Sequence, residues 1–155
     1  MFYAHIKENK LLDITEVKYL NEDILNIEVM EDVFNAYCET PNKFIWDGES
    51  VVLNPNYETE EAQKEAERIA KLYLTGADVE RGIYQAKGMD FDDIIAFVMA
   101  NPPEGLDIKA LKIELKANHF YRGNPYVDSI GNLLGFTKEQ LDKFFETNNY
   151  IYLCV

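Results

Sequence analysis

The sequence has 155 residues, 47% of them hydrophobic, with 15 basic and 28 acidic side chains and a net charge of −13. A chain of this size and apolar content can bury a core, which excludes a disordered protein and predicts one domain, or a small domain with an appendage. The negative charge argues against nucleic acid and anionic membranes as partners, and the lack of a long apolar run or a signal-like start predicts a soluble, non-secreted protein.

The first 56 residues carry the pattern of a small β-rich unit. MFYAHIKENKLLDI alternates around a polar centre, as a hairpin does, and MEDVFNAYCE has the spacing of a short helix. Asp47-Gly48 lies between the apolar runs 44–46 and 51–53, and this dipeptide accepts the positive φ angles of a type I′ turn. We therefore predict a second hairpin with a two-residue turn at Asp47-Gly48.

Residues 57–74 predict a connecting helix. Ala62, Ala66, Ile69 and Tyr73 fall on one stripe of that helix. Acidic residues lie at its start and basic residues at its end, which suits the helix dipole. Two heptads are too few to argue for a coiled coil.

Residues 75–155 predict a helical domain. Five helices are predicted: VERGIYQAK, FDDIIAFVMA, IKALKIELKANHFY, PYVDSIGNLL and KEQLDKFFE. Their starts are marked by Thr75 with Asp78, Asp90, Asp107, Pro125 and Thr137 with Gln140, and two of their ends by Gly88 and Gly135. YIYLCV predicts a last strand whose partner the sequence does not define. The fold class we expect is α+β, a small β-rich unit followed by a mainly α-helical array.

The stretch HFYRGNPYVDSIG, residues 119–131, allows two interpretations. Arginine beside aromatic side chains is typical of a platform that stacks single-stranded nucleic acid. The acidic surroundings and the Gly-Asn-Pro turn favour a joint between two helices, with Phe120, Val127 and Ile130 in the core. On this interpretation the residues nearer the surface, His119, Tyr121 and Arg122, form a possible partner surface.

Nothing in the sequence names a reaction. There is no phosphate-binding loop, zinc-protease motif or nucleophile elbow, and His5 and His119 lie on separate predicted elements. Asp90, Asp92 and Asp93 stand where a helix begins, so capping explains them better than a metal site does. Cys38 and Cys154 are far apart and are expected to be buried free thiols. We expect no enzyme, no cofactor and no metal.

Three segments resemble short proteins from the tail and structural modules of tailed phages and prophages. They are KFIWDGESVVLNPNYETE, LTGADVERGIYQAKGMDFDDI and YRGNPYVDSIGNLLGFTKEQLDKFF, which together span residues 43–145. The resemblance implies a virion-associated or assembly protein that contacts other proteins, in the bacterial cytoplasm during assembly, with incorporation into the virion left open. Such families are mostly of unassigned function and have no catalytic residues to transfer.

The net charge leaves a second hypothesis of a different class. An acidic regulatory protein could bind a host protein by presenting carboxylates in place of nucleic-acid phosphates. The acidic excess is evenly spread along the sequence, at −7 for residues 1–55 and −6 for residues 56–155. The charge therefore gives no indication of which part of the chain would do this.

Overall fold

The computed structural model of the protein describes residues 1–154 and separates two units, Met1–Gln63 and the chain from Lys64 onward. Strands dominate the first unit and helices the second, which confirms the α+β class. The division falls inside a helix, Tyr57–Ala70, that the sequence assigned to a connecting segment. The second unit therefore begins earlier than the predicted residue 75.

The first unit is built on a three-stranded antiparallel sheet. β1 (Phe2–Lys7) lies between β2 (Lys10–Thr15) and β3 (Leu25–Val29). Glu8 and Asn9, at the turn between β1 and β2, both have positive φ, which is the geometry of a type I′ turn. The predicted first hairpin is confirmed, whereas β3 was not predicted.

Helix α1 and a second hairpin complete this unit. After β3 come α1 (Glu31–Glu39), a 3-10 helix (Pro41–Lys43), β4 (Phe44–Trp46) and β5 (Val51–Leu53). The small core consists of three buried sheet residues and the partly buried side chains packed on them: Ala4, Ile6 and Ile14, with Phe2, Leu11, Ile27, Val29, Val33, Phe34, Tyr37, Trp46 and Val51. The short helix predicted at MEDVFNAYCE is confirmed as α1.

The β4–β5 hairpin has the predicted strands but a different turn. Trp46 pairs with Val51, and the Asp47 amide donates to the Ser50 carbonyl over 3.2 Å. The Asp47 carboxylate accepts from the amides of Glu49 and Ser50, both at 2.8 Å, and these bonds hold its pKa below the usual range. Within the turn only Gly48 has positive φ, at 110°, so the type I′ prediction is wrong.

Replacing Gly48 with valine is expected to destabilise the first unit by about 1–3 kcal/mol. No atom lies within 4 Å of a Cβ at this position, so the cost comes from the positive φ, which a β-branched residue adopts only with strain. Urea unfolding followed by fluorescence of Trp46, the single tryptophan, measures it. Glu49→Val, one position on, is the control, and an equal midpoint shift in both variants would contradict the role of φ.

The second unit contains five helices and a two-stranded ribbon in its described part. After α2 (Tyr57–Ala70) the elements are β6 (Tyr73–Thr75), α3 (Gly76–Lys87), α4 (Phe91–Ala100), α5 (Ile108–Glu114), β7 (His119–Tyr121), α6 (Pro125–Leu134) and α7 (Lys138–Thr147), followed by a 3-10 helix (Tyr150–Leu153). The ribbon is formed by β6 and β7, which pair antiparallel.

Two predicted helix ends and one predicted strand are wrong. Helix α2 ends at Ala70, and α5 ends at Glu114 instead of running through His119 to Tyr121. Both helices stop because the residues that follow them pair with each other as β6 and β7. The predicted C-terminal strand is a 3-10 helix over Tyr150–Leu153, which buries Leu153.

The predicted caps are confirmed. Thr75 accepts from the Asp78 amide, and Asp107 accepts from the amides of Lys109 and Ala110. Capping boxes start α4 and α7, at Asp90 with Asp93 and at Thr137 with Gln140. Gly88 and Gly135 end α3 and α6 in the left-handed conformation. Asp90 and Asp93 thus cap the start of α4, and Asp92 lies in its first turn, as predicted.

The core of the second unit joins all five helices and the ribbon. Its most deeply buried side chains are Ile94, Val98, Leu111, Phe120, Phe144 and Leu153. The predicted core residues Phe120, Val127 and Ile130 are all buried there. At Gly82 a Cβ atom would overlap the ring of Phe144, so α3 and α7 approach each other at a position where only glycine fits.

The two units differ in net charge. Residues 1–63 carry 4 basic and 14 acidic side chains, a net charge of −10, and residues 64–155 carry 11 and 14, a net charge of −3. The acidic excess is therefore concentrated in the first unit and not evenly spread.

Cys38 and Cys154 are exposed, so their predicted burial is wrong. Among residues 1–154 no helix combines the length and apolarity needed to cross a membrane.

Candidate partner surface

The ribbon places the predicted surface residues on two adjacent strands. Tyr73 is opposite Tyr121, Leu74 is opposite Phe120, and Thr75 is opposite His119. Since side chains alternate along a strand, the central pair points into the core and the outer residues point away from it. Leu74 and Phe120 are accordingly buried.

Tyr73, His119 and Tyr121 form a cluster that we call the aromatic face. The Tyr73 ring centroid lies 5.5 Å from His119 and 5.8 Å from Tyr121. Tyr73 is 57% exposed and Tyr121 is 56% exposed, and His119 is exposed as well. The face thus offers three rings, two with hydroxyl groups, that are free to contact another molecule.

Arg122 does not belong to this surface. Its side chain is only 3% exposed, and its guanidinium donates to Asp142 through Nε at 2.6 Å and to Asp128 through Nη1 at 2.7 Å. A weaker bond of 3.5 Å runs from Nη2 to the Lys138 carbonyl. The prediction that Arg122 lies near the surface is wrong, because carboxylates from α6 and α7 draw it inward.

Backbone contacts fix the ribbon to the end of α2. The Arg122 amide donates to the Leu72 carbonyl over 2.8 Å, and the Gly123 amide donates to the Ala70 carbonyl over 3.1 Å. A Cβ on Gly123 would stand 3.0 Å from the Ala70 carbonyl oxygen, so this approach favours glycine. These contacts anchor the two short strands that carry the aromatic face.

Asn124 joins the ribbon to α6. Its side-chain oxygen accepts from the Tyr126 amide at 3.0 Å and so caps α6, and its amide nitrogen donates to Glu114 at 2.7 Å. Pro125 occupies the first turn of α6, as predicted. The stretch HFYRGNPYVDSIG is therefore a strand, a turn and a helix, and not a joint between two helices.

The burial of Arg122 bears on the nucleic-acid alternative. A stacking platform needs a cation beside its rings to hold the phosphate backbone. In this stretch the one arginine is buried and paired with two carboxylates. The aromatic face is thus left without the cation that motivated that interpretation.

Tyr73 is the member of the face that the sequence interpretation missed. It was placed on the apolar stripe of the predicted helix 57–74, whereas it lies in β6. Tyr73-Leu74-Thr75 and His119-Phe120-Tyr121 each have a buried apolar residue between two exposed ones. This period of two is the signal of a strand, but three residues are too few to separate it from the flanking helical pattern.

The part of the chain that the structure describes contains no cluster of three or more histidine, cysteine, aspartate or glutamate side chains able to hold a metal ion. Searches against protein-family models, curated proteins and solved structures found no match to this chain.

Proposed function

We propose that this protein is a non-enzymatic structural or tail-assembly component of a tailed phage or prophage, and that it acts through protein–protein contacts. On this proposal it works in the bacterial cytoplasm during particle assembly and is incorporated into the virion. The resemblance of residues 43–145 to tail-module proteins supports the biological setting. The aromatic face supports the mode of action.

The aromatic face carries the proposal because its rings are exposed and lie on a ribbon whose backbone is hydrogen-bonded to the end of α2. Tyrosine is enriched at protein interfaces, where its ring supplies buried area and its hydroxyl a hydrogen bond. Tyr73 and Tyr121 are each more than half exposed and stand 5.8 Å apart between ring centroids. Because the backbone beneath them is fixed, little conformational entropy is lost when a partner covers them.

Co-purification from a phage-producing lysate tests the proposal. Tagged full-length protein is expected to retain other virion structural proteins, identified by mass spectrometry. Tyr73→Ser with Tyr121→Ser is expected to lower the retained amount at least about tenfold, the size of effect seen when interface anchors are truncated. The same variant should lower the yield of infectious particles when it replaces the wild-type gene.

Tyr84→Ser is the matched control, because Tyr84 is an equally exposed tyrosine on α3 of the same unit, at 59%. It is expected to retain the partners and the particle yield. Equal losses with Tyr84→Ser would exclude the aromatic face as the interface. Normal particle yield after deletion of the gene would contradict an assembly role.

One observation favours the second candidate, an acidic regulator that binds a host protein in place of nucleic acid. The net charge of −10 in residues 1–63 makes the first unit a strong negative field for its size. In the same co-purification, recovery of a host nucleic-acid-binding protein that dissociates with added DNA would support this candidate. Recovery of virion proteins would support the first.

A further inference from the structure

Residues 16–24, which we call the strap, cross one face of the three-stranded sheet between β2 and β3. The Lys18 ammonium lies 4.8 Å from the centre of the Tyr3 ring. The Tyr19 ring stacks on His5 at 3.7 Å with an angle of 5° between the planes. The strap is therefore seated on the sheet by two side-chain contacts, and His5 beneath it is fully buried.

The side chain of Asn26, on β3, clamps the strap through hydrogen bonds to main-chain groups of the strap. The side-chain oxygen of Asn26 accepts from the Tyr19 amide at 2.8 Å, and its nitrogen donates to the Tyr19 carbonyl at 3.0 Å and to the Ile24 carbonyl at 3.3 Å. These bonds fix the orientation of the amide group. The oxygen of Asn26 also lies 2.8 Å from His5 Nδ1, so that ring nitrogen must carry a proton and donate.

Asp13 and Thr15 of β2 hold the strap from the other side. The Tyr19 hydroxyl donates to Asp13 over 2.5 Å, and this bond raises the pKa of Tyr19. The Thr15 hydroxyl donates to the Val17 carbonyl over 2.9 Å, and its oxygen lies 2.9 Å from His5 Nε2. The amide, the carbonyl, the hydroxyl and one ring face of Tyr19 thus all have partners.

The strap presents apolar side chains that contribute nothing to the core. Val17 is 68% exposed and Leu20 is 99% exposed, and Leu25, at the start of β3, is 53% exposed. Polar networks of this kind add little net stability, but they select one conformation. The clamp, which includes the fully buried His5, thus holds the segment that carries these exposed aliphatic side chains.

We propose that the strap is a preorganised docking loop whose Val17 and Leu20 side chains enter an apolar pocket rimmed by lysine and arginine on a partner protein. Glu16, Glu22 and Asp23 outnumber the one cation, Lys18, in the same nine residues, and the unit around them has a net charge of −10. A second copy of this chain would bring the same negative charge against it, so self-association is opposed. A basic protein surface with an apolar pocket complements both the negative charge and the exposed apolar side chains of the strap.

This inference concerns the first unit and does not rest on the aromatic face of the second. Preorganisation gives it a specific consequence, because a loop fixed before binding loses less entropy on association than a mobile one. Binding should therefore depend on the clamp as well as on the exposed side chains. The two dependences can be measured with separate variants.

A displayed library of random dodecapeptides, selected on the immobilised full-length protein, is the probe. We expect peptides that combine lysine or arginine with aliphatic or aromatic residues, and that bind the protein more weakly as salt increases. Val17→Ser with Leu20→Ser is expected to weaken their binding at least about tenfold. Both side chains are exposed, so this variant should fold. The control Leu53→Ser, at a 64% exposed leucine of the same unit, should leave binding unchanged.

Asn26→Ala tests the clamp, since it leaves Val17 and Leu20 in place. We expect faster hydrogen exchange at the Tyr19 amide together with a several-fold loss of peptide affinity. If Asn26→Ala does not fold, Tyr19→Phe removes only the bond to Asp13 and is expected to give a smaller loss in the same direction. Unchanged affinity in a variant with faster exchange would overturn the preorganisation.

Three other results would overturn the docking loop itself. Peptides that bind Val17→Ser with Leu20→Ser as tightly as the wild type would place the site elsewhere. Selection of neutral or acidic peptides, or of none, would contradict a basic partner. Sedimentation that shows self-association of the wild type, lost in the double variant, would make a second copy of the chain the occupant.

Discussion

Phe120→Ala is expected to lower the free energy of unfolding of the second unit by about 3–5 kcal/mol, the range for truncating a buried aromatic residue. The Phe120 side chain is 1% exposed and lies in the core opposite Leu74. Its ring centroid is 5.7 Å from that of Phe91 on α4. The truncation removes contacts to the ribbon and to a helix together, so little of the cavity can close by local movement.

Urea unfolding followed by far-ultraviolet circular dichroism measures this loss, because the helices lie mainly in the second unit. Phe97→Ala is the matched control, since Phe97 is 43% exposed on α4 and the same atoms are removed. We expect its midpoint to move much less. Equal shifts for Phe97→Ala and Phe120→Ala would contradict the placement of Phe120 at the centre of the core.

Local chemistry made the helix starts of the second unit predictable. A capping residue acts on amides two or three positions along the chain, so Asp90 and Thr137 marked α4 and α7 without any knowledge of the fold. Gly88 and Gly135 marked the ends for the same reason, since the left-handed conformation is a property of one residue. The first hairpin was equally local, because its turn joins neighbouring strands.

The ribbon was not predictable because its two strands pair although more than 40 residues of sequence separate them. Tyr73–Thr75 follows a strong helical pattern, and His119–Tyr121 follows another. Each strand has three residues, and propensity alone extends the helix through both. Only the pairing of Leu74 with Phe120 inside the core decides the matter.

The candidate sites show the same dependence on distant partners. His119 and Tyr121 were placed on a surface correctly, whereas Arg122, the next residue, was not. Its position is set by Asp128 and Asp142, 6 and 20 residues further along the chain. The strap gave no signal at all, because Val17 and Leu20 look like core residues until the sheet beneath them is known.

Arg122→Ala is expected to destabilise the second unit by about 2–4 kcal/mol. Removing one member of a buried ion pair leaves its partner desolvated without compensation, which costs about 3–5 kcal/mol when both are buried. Asp142 is 21% exposed and Asp128 is 50% exposed, so water recovers part of that cost. Arg122→Met, which keeps the aliphatic stem and removes the charge, should show most of the same loss. Urea unfolding followed by far-ultraviolet circular dichroism measures both.

Arg68→Ala is the matched control, because Arg68 also binds two carboxylates, of Glu65 and Glu146, each at 2.7 Å. Its side chain is 46% exposed, so water replaces the lost bonds and salt screens the charges that remain. We expect the Arg68→Ala midpoint to stay close to that of the wild type. If Arg122→Ala behaved like Arg68→Ala, the guanidinium of Arg122 would have to be solvated, and the sequence-based prediction of a partner surface formed by His119, Tyr121 and Arg122 would be restored.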